Sequence, residues 1–273
     1  MDNKNKLIVS ESIINIITII LVCISIILIS PCFFSKKIER FWMTKPSQIP
    51  NTIIQTYYNK KVIPHKVYEN IKKFGKGYQH LVFDDNECIE FLKKEYGDIM
   101  VNKFRNLKKG AHKSDLFRYC YLYKYGGVYL DIKTELIKNL NSILRGDFTF
   151  TVISFIPHTP NIYQGVLATR PRNPLFFQLI TNMLSNKNPK YMDFTVYFYK
   201  LLSSKIKKKP VPGVNRISEN DFVYLFQENC TSTPSDVSKK CHDGKDRYGL
   251  CCLIYDNNEP IIKTRYSDFP WKA

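Results

Sequence analysis

Apolar positions change their spacing along the chain, and the spacing predicts alternating strands and helices. Short runs of β-branched and aromatic residues are typical of strands, whereas apolar residues three and four positions apart favour helices. In the first part of the chain, strands are predicted at 52–57, 78–83 and 128–132, and helices at 64–73, 87–96 and 112–125. Strands that alternate with helices in this way favour an α/β sheet.

The pattern continues through the middle of the chain and weakens past residue 205. It predicts strands at 148–155, 162–168 and 222–226, and helices at 174–184 and 191–202. Two later apolar runs, 250–255 and 260–265, are joined by Asp256-Asn257-Asn258, and they predict a hairpin because Asn and Asp favour tight turns. We therefore expect one α/β domain over 49–273, with 205–273 as its less regular C-terminal part.

An uncharged apolar stretch near the N-terminus predicts a membrane anchor. No charged residue lies between Glu11 and Lys36, and a helix needs about 20 apolar residues to cross a bilayer. A buried core helix would show a polar face, and a signal peptide would show a shorter apolar run before a small-residue cleavage site. Neither feature is visible. The chain thus divides into a tail at 1–11, a single-pass transmembrane anchor at 12–35 and a stem at 36–48, before the α/β domain.

The chain is strongly basic, with 41 Lys and Arg residues, 24 Asp and Glu residues and a formal net charge of +17. Such a charge favours anionic partners, such as phosphates or a membrane surface, or it reflects lysine-rich solvated faces. The lysines are scattered, only Lys207-Lys208-Lys209 forms a tight run, and no basic stripe interleaved with aromatic residues is present. The pattern therefore argues against nucleic acid as a partner.

Four cysteines cluster near the C-terminus, at positions 230, 241, 251 and 252. Their spacing does not match a zinc-site pattern. In an oxidising compartment, a disulfide could join Cys230 or Cys241 to Cys251 or Cys252, whereas in a reducing compartment all four would stay free thiols. The sequence leaves both alternatives open.

The densest group of functional residue types lies between residues 112 and 133. In the predicted helix, Asp115 and Arg118 are three residues apart and share a face, and Asp115 would lie in the first turn, where the helix dipole favours a carboxylate. Asp131 lies near the end of the next strand, after a sharp turn at Gly126-Gly127. Because ligands of α/β sheets bind at the carboxyl ends of strands, the three side chains can converge on one crevice. The alternative is an ordinary helix-surface ion pair, worth about 0.2–0.5 kcal/mol.

This run resembles the DXD-containing sugar-binding region of glycosyltransferases of the family 32 type, which include the yeast initiating mannosyltransferase and many capsule, lipopolysaccharide and giant-virus enzymes. The opening segment Ile49-Pro50-Asn51-Thr52-Ile53-Ile54-Gln55-Thr56-Tyr57 is similar to the family's first strand. The resemblance extends from about residue 49 to residue 184, and it is strongest at 112–133.

The resemblance implies a GT-A-type, Rossmann-like mixed sheet flanked by helices. It also implies transfer of a hexose from a UDP- or GDP-linked donor to a glycan or glycoprotein acceptor, with retention of the anomeric configuration. By position, Asp115 and Arg118 would bind hydroxyls of the donor sugar, and Asp131 would reach the ribose or a metal. The other donor-binding positions that the resemblance implies are Thr52, Ile53, Gln55 and Tyr129.

One residue departs from the family pattern. The second acidic residue of the motif is Lys133 here, and a lysine cannot bind a metal. The resemblance implies a divalent cation, Mn²⁺ or Mg²⁺. Either Asp131 holds it together with a C-terminal carboxylate such as Asp268, or Lys133 itself meets the charge of the diphosphate. A third outcome is loss of activity, which would leave a membrane-anchored protein that binds glycans or nucleotide sugars.

The position of the domain relative to the membrane stays open. The resemblance favours a lumenal catalytic domain in a Golgi-type, ER-type or host endomembrane. Basic residues flank both ends of the anchor, and the larger number on its C-terminal side favours a cytoplasmic domain. The segment 266–271 is a candidate lid over the donor, or else a surface tail. Asn161 and Gln164 begin a strand that could face the acceptor.

Overall fold

The structure is a computed structural model that describes residues 43–155, 159–231 and 251–264. Its contacts divide the chain into two units, Met1–Lys45 and Pro46–Ala273, and all elements named below belong to the second. None of the helices in the described ranges has both the length and the hydropathy of a membrane span. The anchor expected at 12–35 lies outside those ranges and stays a prediction, as does the lid at 266–271.

Strands and helices alternate through the first half of the domain, as the spacing of apolar residues predicts. The elements there are β1 (Thr52–Thr56), a 3-10 turn (Lys60–Val62), α1 (His65–Phe74), β2 (Gln79–Phe83), α2 (Asp85–Tyr96), α3 (Asp98–Asn106), α4 (Gly110–Tyr125) and β3 (Gly127–Leu130). Helix α3 is the one that the apolar pattern did not predict. Gly97, with φ 78°, ends α2 and begins α3, so a residue typical of a helix end here joins two helices.

Strands dominate the second half of the domain. The elements there are β4 (Glu135–Leu136), α5 (Leu140–Ile143), β5 (Thr149–Ser154), β6 (Asn161–Thr169), α6 (Pro174–Ser185), α7 (Asp193–Ile206), β7 (Gly213–Arg216), β8 (Phe222–Thr231), β9 (Cys251–Asp256) and β10 (Glu259–Thr264). The predicted hairpin is present as β9 and β10, and its turn residues Asn257 and Asn258 have positive φ angles of 47° and 69°. Strands β4 and β7 and helix α5 are too short to show a pattern and were not predicted.

The described strands form one mixed sheet in the order β2-β1-β3-β6-β5-β8-β9-β10-β4, with β7 paired to β8. Strand β1 lies parallel to both β2 and β3, so the carboxyl ends of these three strands meet at the same edge. Strand β3 then pairs antiparallel with β6, which places Val166, in the middle of β6, beside Leu130 at the end of β3. The mixed α/β sheet that the sequence predicts is therefore present.

Helices cover both faces of the sheet around β1. Ile54 of β1 belongs to the main core, together with residues of α2, α3, α4, α6 and α7. The preceding residue, Ile53, faces the other way, toward the end of α1, since a Cβ on the capping residue Gly75 would lie 2.8 Å from the Ile53 Cδ1 atom. Because successive residues of a strand point to opposite faces, a strand covered on both faces is apolar at nearly every position.

The structure contains a disulfide between two of the C-terminal cysteines. Cys230 and Cys252 lie directly opposite each other on β8 and β9 and form a disulfide. Cys88 and Cys120 are free and buried in the main core. This pairing is one of those that the sequence left open for an oxidising compartment.

Candidate active site

Helix α4 carries two of the predicted site residues. It ends at Gly126, which adopts a φ of 67° and whose N–H donates to the Leu122 carbonyl at 2.9 Å. The helix begins at Gly110, two residues before its predicted start, so Asp115 lies beyond the first turn. The expected helix-dipole contribution to Asp115 is therefore wrong, because that effect fades within the first turn.

The Arg118 guanidinium is held on several sides. An Nη atom lies 3.4 Å from the Asp115 carboxylate, and the side chains of this pair are only 4% and 9% exposed. Arg118 also donates from Nε to the Ser114 carbonyl at 3.1 Å and from an Nη atom to the Gln164 carbonyl. Its guanidinium carbon lies 4.1 Å from the centre of the Tyr129 ring. The spacing of residues 115 and 118 predicted this shared face, but the pair is buried and is not an ordinary surface ion pair.

Burial and charge act in opposite directions on this pair. Burial raises the pKa of Asp115, and nearby Asp131 raises it further, whereas Arg118 and His112 lower it. Burial lowers the pKa of Arg118, but Tyr129, Asp115 and Asp131 outweigh burial, and the net shift is upward. Arg118 therefore stays positively charged, and its charge interacts with the carboxylates of both Asp115 and Asp131.

Asp131 follows the carboxyl end of β3. Its N–H donates to the Gly165 carbonyl at 2.7 Å, and its own carbonyl accepts from Thr134 at 2.8 Å, which closes a turn. Its carboxylate accepts the backbone N–H of Lys133 at 3.3 Å. The strand was predicted to reach residue 132 but ends at Leu130, so Asp131 and Lys133 belong to this turn. The turn leaves the Asp131 side chain half-buried at the sheet edge.

One cavity of about 460 Å³ lies at this edge. Arg118 and Asp131 both line it, with Thr56 and Ser114 beside them. Asp115 is behind the wall, where it pairs with Arg118. The three predicted residues therefore meet around one cavity, two on its wall and one directly behind it.

The predicted residues of β1 lie elsewhere. Ile53 and Gln55 are fully buried, and neither they nor Thr52 line the cavity. The Gln55 amide instead supports the site from behind, since it donates to the Asp131 carbonyl at 3.4 Å. Tyr129 is also buried, and its hydroxyl lies 3.3 Å from the Thr56 hydroxyl. The reason is geometric: only Thr56, at the carboxyl end of β1, and the residues that follow it reach the cavity.

Four tyrosines line the cavity and were not predicted. Tyr57 and Tyr58 follow β1, and their rings lie 4.7 Å apart. Tyr191 is 58% exposed, and Tyr163 of β6 lies close enough to Asp131 for the carboxylate to raise its pKa, beyond the effect of burial. Tyr57 stands in the opening motif and could have been found there. The other three have no local signal that separates them from core or surface tyrosines.

The cavity wall is predominantly basic. Lys108, Lys113 and Lys133 line it together with Arg118. Lys113 is paired with Asp85, another lining residue, at 3.0 Å. A wall with this charge suits an anionic group such as a diphosphate.

The residues present offer a divalent cation a small set of ligands. Among the described residues, the cavity carboxylates are Asp131 and Asp85, and Asp85 is engaged by Lys113. Asp268, the second ligand that the sequence suggested, lies outside the described ranges. A single carboxylate fits a cation that is completed by phosphate oxygens and water, which is a common arrangement for Mg²⁺. Another described group of three metal-ligating side chains, Glu228, Cys230 and Cys252, does not line the cavity and contains the disulfide.

Part of the chain matches a known protein family. Residues 64–149 match the model of the glycosyltransferase sugar-binding region containing the DXD motif. This region contains Asp115, Arg118 and Asp131. It begins after β1 and ends at the start of β5.

Individual relatives agree with the family match. An uncharacterized glycosyltransferase of Acanthamoeba polyphaga mimivirus is 28% identical over 235 residues, which cover 78% of this chain and 91% of the relative. Inositol phosphoceramide mannosyltransferase 1 of Schizosaccharomyces pombe is 32% identical over 123 residues, which cover 44% of this chain and 36% of that protein. Among solved structures, the PaToxG glycosyltransferase superposes with a TM-score of 0.47 at 17% identity and covers 64% of this chain and 76% of its own.

Proposed function

We propose that this chain, which is a glycosyltransferase of the family 32-like type, transfers a hexose from a nucleoside diphosphate donor bound in the cavity at the ends of β1 and β3. The observation that carries the proposal is the arrangement of Arg118 and Asp131 on one basic cavity wall, with Asp115 paired to Arg118 behind it. The alternating strands and helices, with ligand groups at the carboxyl ends of parallel strands, suit a GT-A-type donor site.

Arg118 and Asp115 are proposed to position the donor sugar. The guanidinium is fixed by two carbonyls and a tyrosine ring, so its remaining N–H groups have little freedom left to lose on binding. Planar, preoriented donors of this kind suit sugar hydroxyls as well as phosphate oxygens. The buried Asp115 carboxylate keeps the guanidinium in place from behind the wall.

The basic residues are proposed to meet the diphosphate. Lys108, Lys113 and Lys133 lie on the same wall as Asp131, and charge development on the leaving diphosphate is the main electrostatic demand of the reaction. Asp131 would hold a divalent cation together with the donor's phosphate oxygens. Such a cation supplies charge neutralisation at the leaving group. Retention of anomeric configuration is the expected outcome, and it can be read by NMR on the first-formed product.

The acceptor is proposed to approach from the tyrosine side of the cavity. Tyr58 and Tyr191 are 63% and 58% exposed at the cavity, and exposed aromatic rings present an apolar face and a hydroxyl to a sugar. Together with the predicted anchor at 12–35, this arrangement favours a glycan or glycoprotein acceptor close to a bilayer in a Golgi-type, ER-type or host endomembrane.

A donor screen with the full chain in detergent tests the proposal. UDP- and GDP-hexoses are incubated with and without Mn²⁺ or Mg²⁺, and released nucleotide and new glycoside are measured by mass spectrometry. Asp131→Asn is expected to abolish turnover of the accepted donor. Asp98→Asn is the matched control, because Asp98 is an exposed carboxylate paired only with Lys93 in the described contacts. Full activity of the Asp131 variant would refute the site assignment.

Lys133 motivates a second candidate, a membrane-anchored protein that binds nucleotide sugars or glycans without turnover. The Lys133 ammonium stands where the family's motif has a second carboxylate, and its positive charge weakens the binding of a metal ion there. Transfer from a nucleotide sugar commonly uses such a metal ion. Calorimetry separates the two candidates. Donor binding that depends on Arg118, with no product from any donor in the panel, would favour the binding protein.

A further inference from the structure

A second cavity lies where strand β8 changes its partner along one edge. Strand β7 pairs with the first half of this edge, up to Gly213 opposite Leu225. Strand β9 pairs with the second half, beginning with Tyr255 opposite Gln227. Neither strand places a residue opposite Phe226. A cavity of about 220 Å³ lies at this gap, and we call it the β8 notch.

The walls of the notch are rich in amide and hydroxyl groups. Its polar lining residues are Tyr224, Gln227, Asn229, Tyr255, Asp256, Asn257 and Asn258. Amide side chains donate and accept hydrogen bonds at the same time, as sugar hydroxyls do. The half-buried Tyr255 adds an aromatic ring beside them.

The polar groups are held in place before any ligand binds. The Tyr224 hydroxyl donates to the Asp256 carboxylate at 2.6 Å, and the Asn257 amide donates to the same carboxylate oxygen at 3.1 Å. The Gln227 amide donates to the Asn229 side-chain oxygen at 3.2 Å. A tight turn with two positive φ angles fixes the asparagines that follow β9. Ligand binding therefore costs little side-chain entropy.

The charge of the notch selects the class of ligand. No lysine or arginine is among its described lining residues, although the whole chain carries a net charge of +17. The donor cavity, by contrast, has three lysines and an arginine on its wall, and the two cavities share no lining residue. The single carboxylate of the notch already accepts two hydrogen bonds. These features suit a neutral, hydroxyl-rich ligand and not a phosphate.

We propose that the β8 notch binds one residue of a neutral oligosaccharide. Its volume is below the ~300–1,000 Å³ of pockets that enclose a drug-sized ligand, which fits a single sugar ring of a longer chain. A glycan held there is anchored at a point separate from the donor cavity. The proposal rests on the notch residues and does not depend on which donor the other cavity uses.

Saturation-transfer NMR with the full chain in detergent tests this proposal. The probes are mannotriose, maltotriose and chitotriose, each without donor. Asn229→Lys places a long cation at the exposed lip of the notch, and Asn188→Lys makes the same change at another exposed asparagine, outside the notch. The wild type and Asn188→Lys are expected to bind at least one probe with equal affinity. The affinity of Asn229→Lys for that probe is expected to fall about tenfold or more, because the hydrogen bonds of the Asn229 amide to the sugar are lost.

Folding and the donor site are checked in the same samples. Thermal unfolding shows whether each variant is folded. If Asn229→Lys is not folded, Tyr255→Ala serves as the second notch variant. Donor hydrolysis reports on the other cavity, so failure there leaves the notch result interpretable. The proposal is overturned if no probe binds up to millimolar concentration, or if the notch variants bind the probes as tightly as the wild type does.

Discussion

Arg118→Lys tests whether the guanidinium acts through its shape or only through its charge. The substitution keeps the positive charge beside Asp115 but replaces five fixed N–H donors with one ammonium group. In the native chain the guanidinium serves the Ser114 carbonyl, the Gln164 carbonyl and the Asp115 carboxylate, and it covers the Tyr129 ring. A lysine can keep the ion pair, but it cannot reach both carbonyls at once.

The expected loss of stability follows from the groups left without partners. A buried polar group that loses its hydrogen bond costs about 1–3 kcal/mol, and lost contact with the ring adds about 0.5–1 kcal/mol. We therefore expect the free energy of unfolding to fall by roughly 2–4 kcal/mol. At about 2–4 °C per kcal/mol for a domain of this size, the melting temperature falls by roughly 4–16 °C.

The matched control is Arg170→Lys. Arg170 pairs with Asp221, but the two side chains are 32% and 27% exposed, so the same chemical change should cost less than about 1 kcal/mol. The assay is donor turnover beside thermal unfolding. For Arg118→Lys we expect kcat/KM to fall at least ~100-fold, or about 2.7 kcal/mol of transition-state stabilisation. A kcat/KM within about threefold of the wild type would show that charge alone suffices, and the positioning argument would be wrong.

Four further predictions concern three single residues. Because burial raises the pKa of Asp115, kcat/KM should begin to fall with decreasing pH at a value above the ordinary aspartate pKa of about 3.9. Asp115→Asn should remove this acid limb of the pH profile. An acid limb at the ordinary aspartate value would contradict the role of Asp115. For the same reason, the contribution of Asp115 to stability is largest at low pH and is lost as pH rises through its raised pKa, which pH-dependent unfolding can measure. Lys133→Asp should lower the metal concentration for half-maximal activity by about tenfold, whereas Lys108→Asp, also on the cavity wall, should not; equal responses would exclude Asp131 and residue 133 as a metal pair. Gly127→Ala should cost about 1–3 kcal/mol of stability, because φ is 103° and the new Cβ would lie 2.8 Å from the Thr52 carbonyl, and an unchanged melting temperature would refute this.

The elements around the site could be predicted because several local signals agree there. Helix α4 has no proline and ends at a glycine in the left-handed region, and the apolar run of β3 follows at once. The elements that were not predicted lack such agreement. Gly97 joins two helices where a glycine usually ends one, and β7 has four residues whose pairing depends on β8, a strand that comes later in the sequence.

The site could be predicted only where its residues are close in sequence. The spacing of Asp115 and Arg118 is a local property of a helix, and the structure confirms that the two side chains share a face. Placing Gln55 on the donor side required knowing which residue of β1 ends the strand and what covers it, and both depend on neighbouring strands and helices. Tyr163 reaches the cavity because β6 pairs with β3, which is a long-range contact with no signature in the sequence.

The buried Asp115–Arg118 pair is itself an argument for a ligand. Removing two charges from water costs several kcal/mol, so a buried ion pair is often no more stabilising than apolar residues of the same size. The raised pKa of Asp115 shows that Arg118 does not fully offset this cost. Loss of either partner would still leave an uncompensated charge in the core, so the pair is costly both to keep and to break. A fold that needed only a packed helix–sheet contact at this point could use leucine and methionine. The pair stands instead behind the wall of a basic cavity, with its guanidinium aimed by two backbone carbonyls, and this arrangement has a physical reason if the cavity binds a polar, anionic ligand.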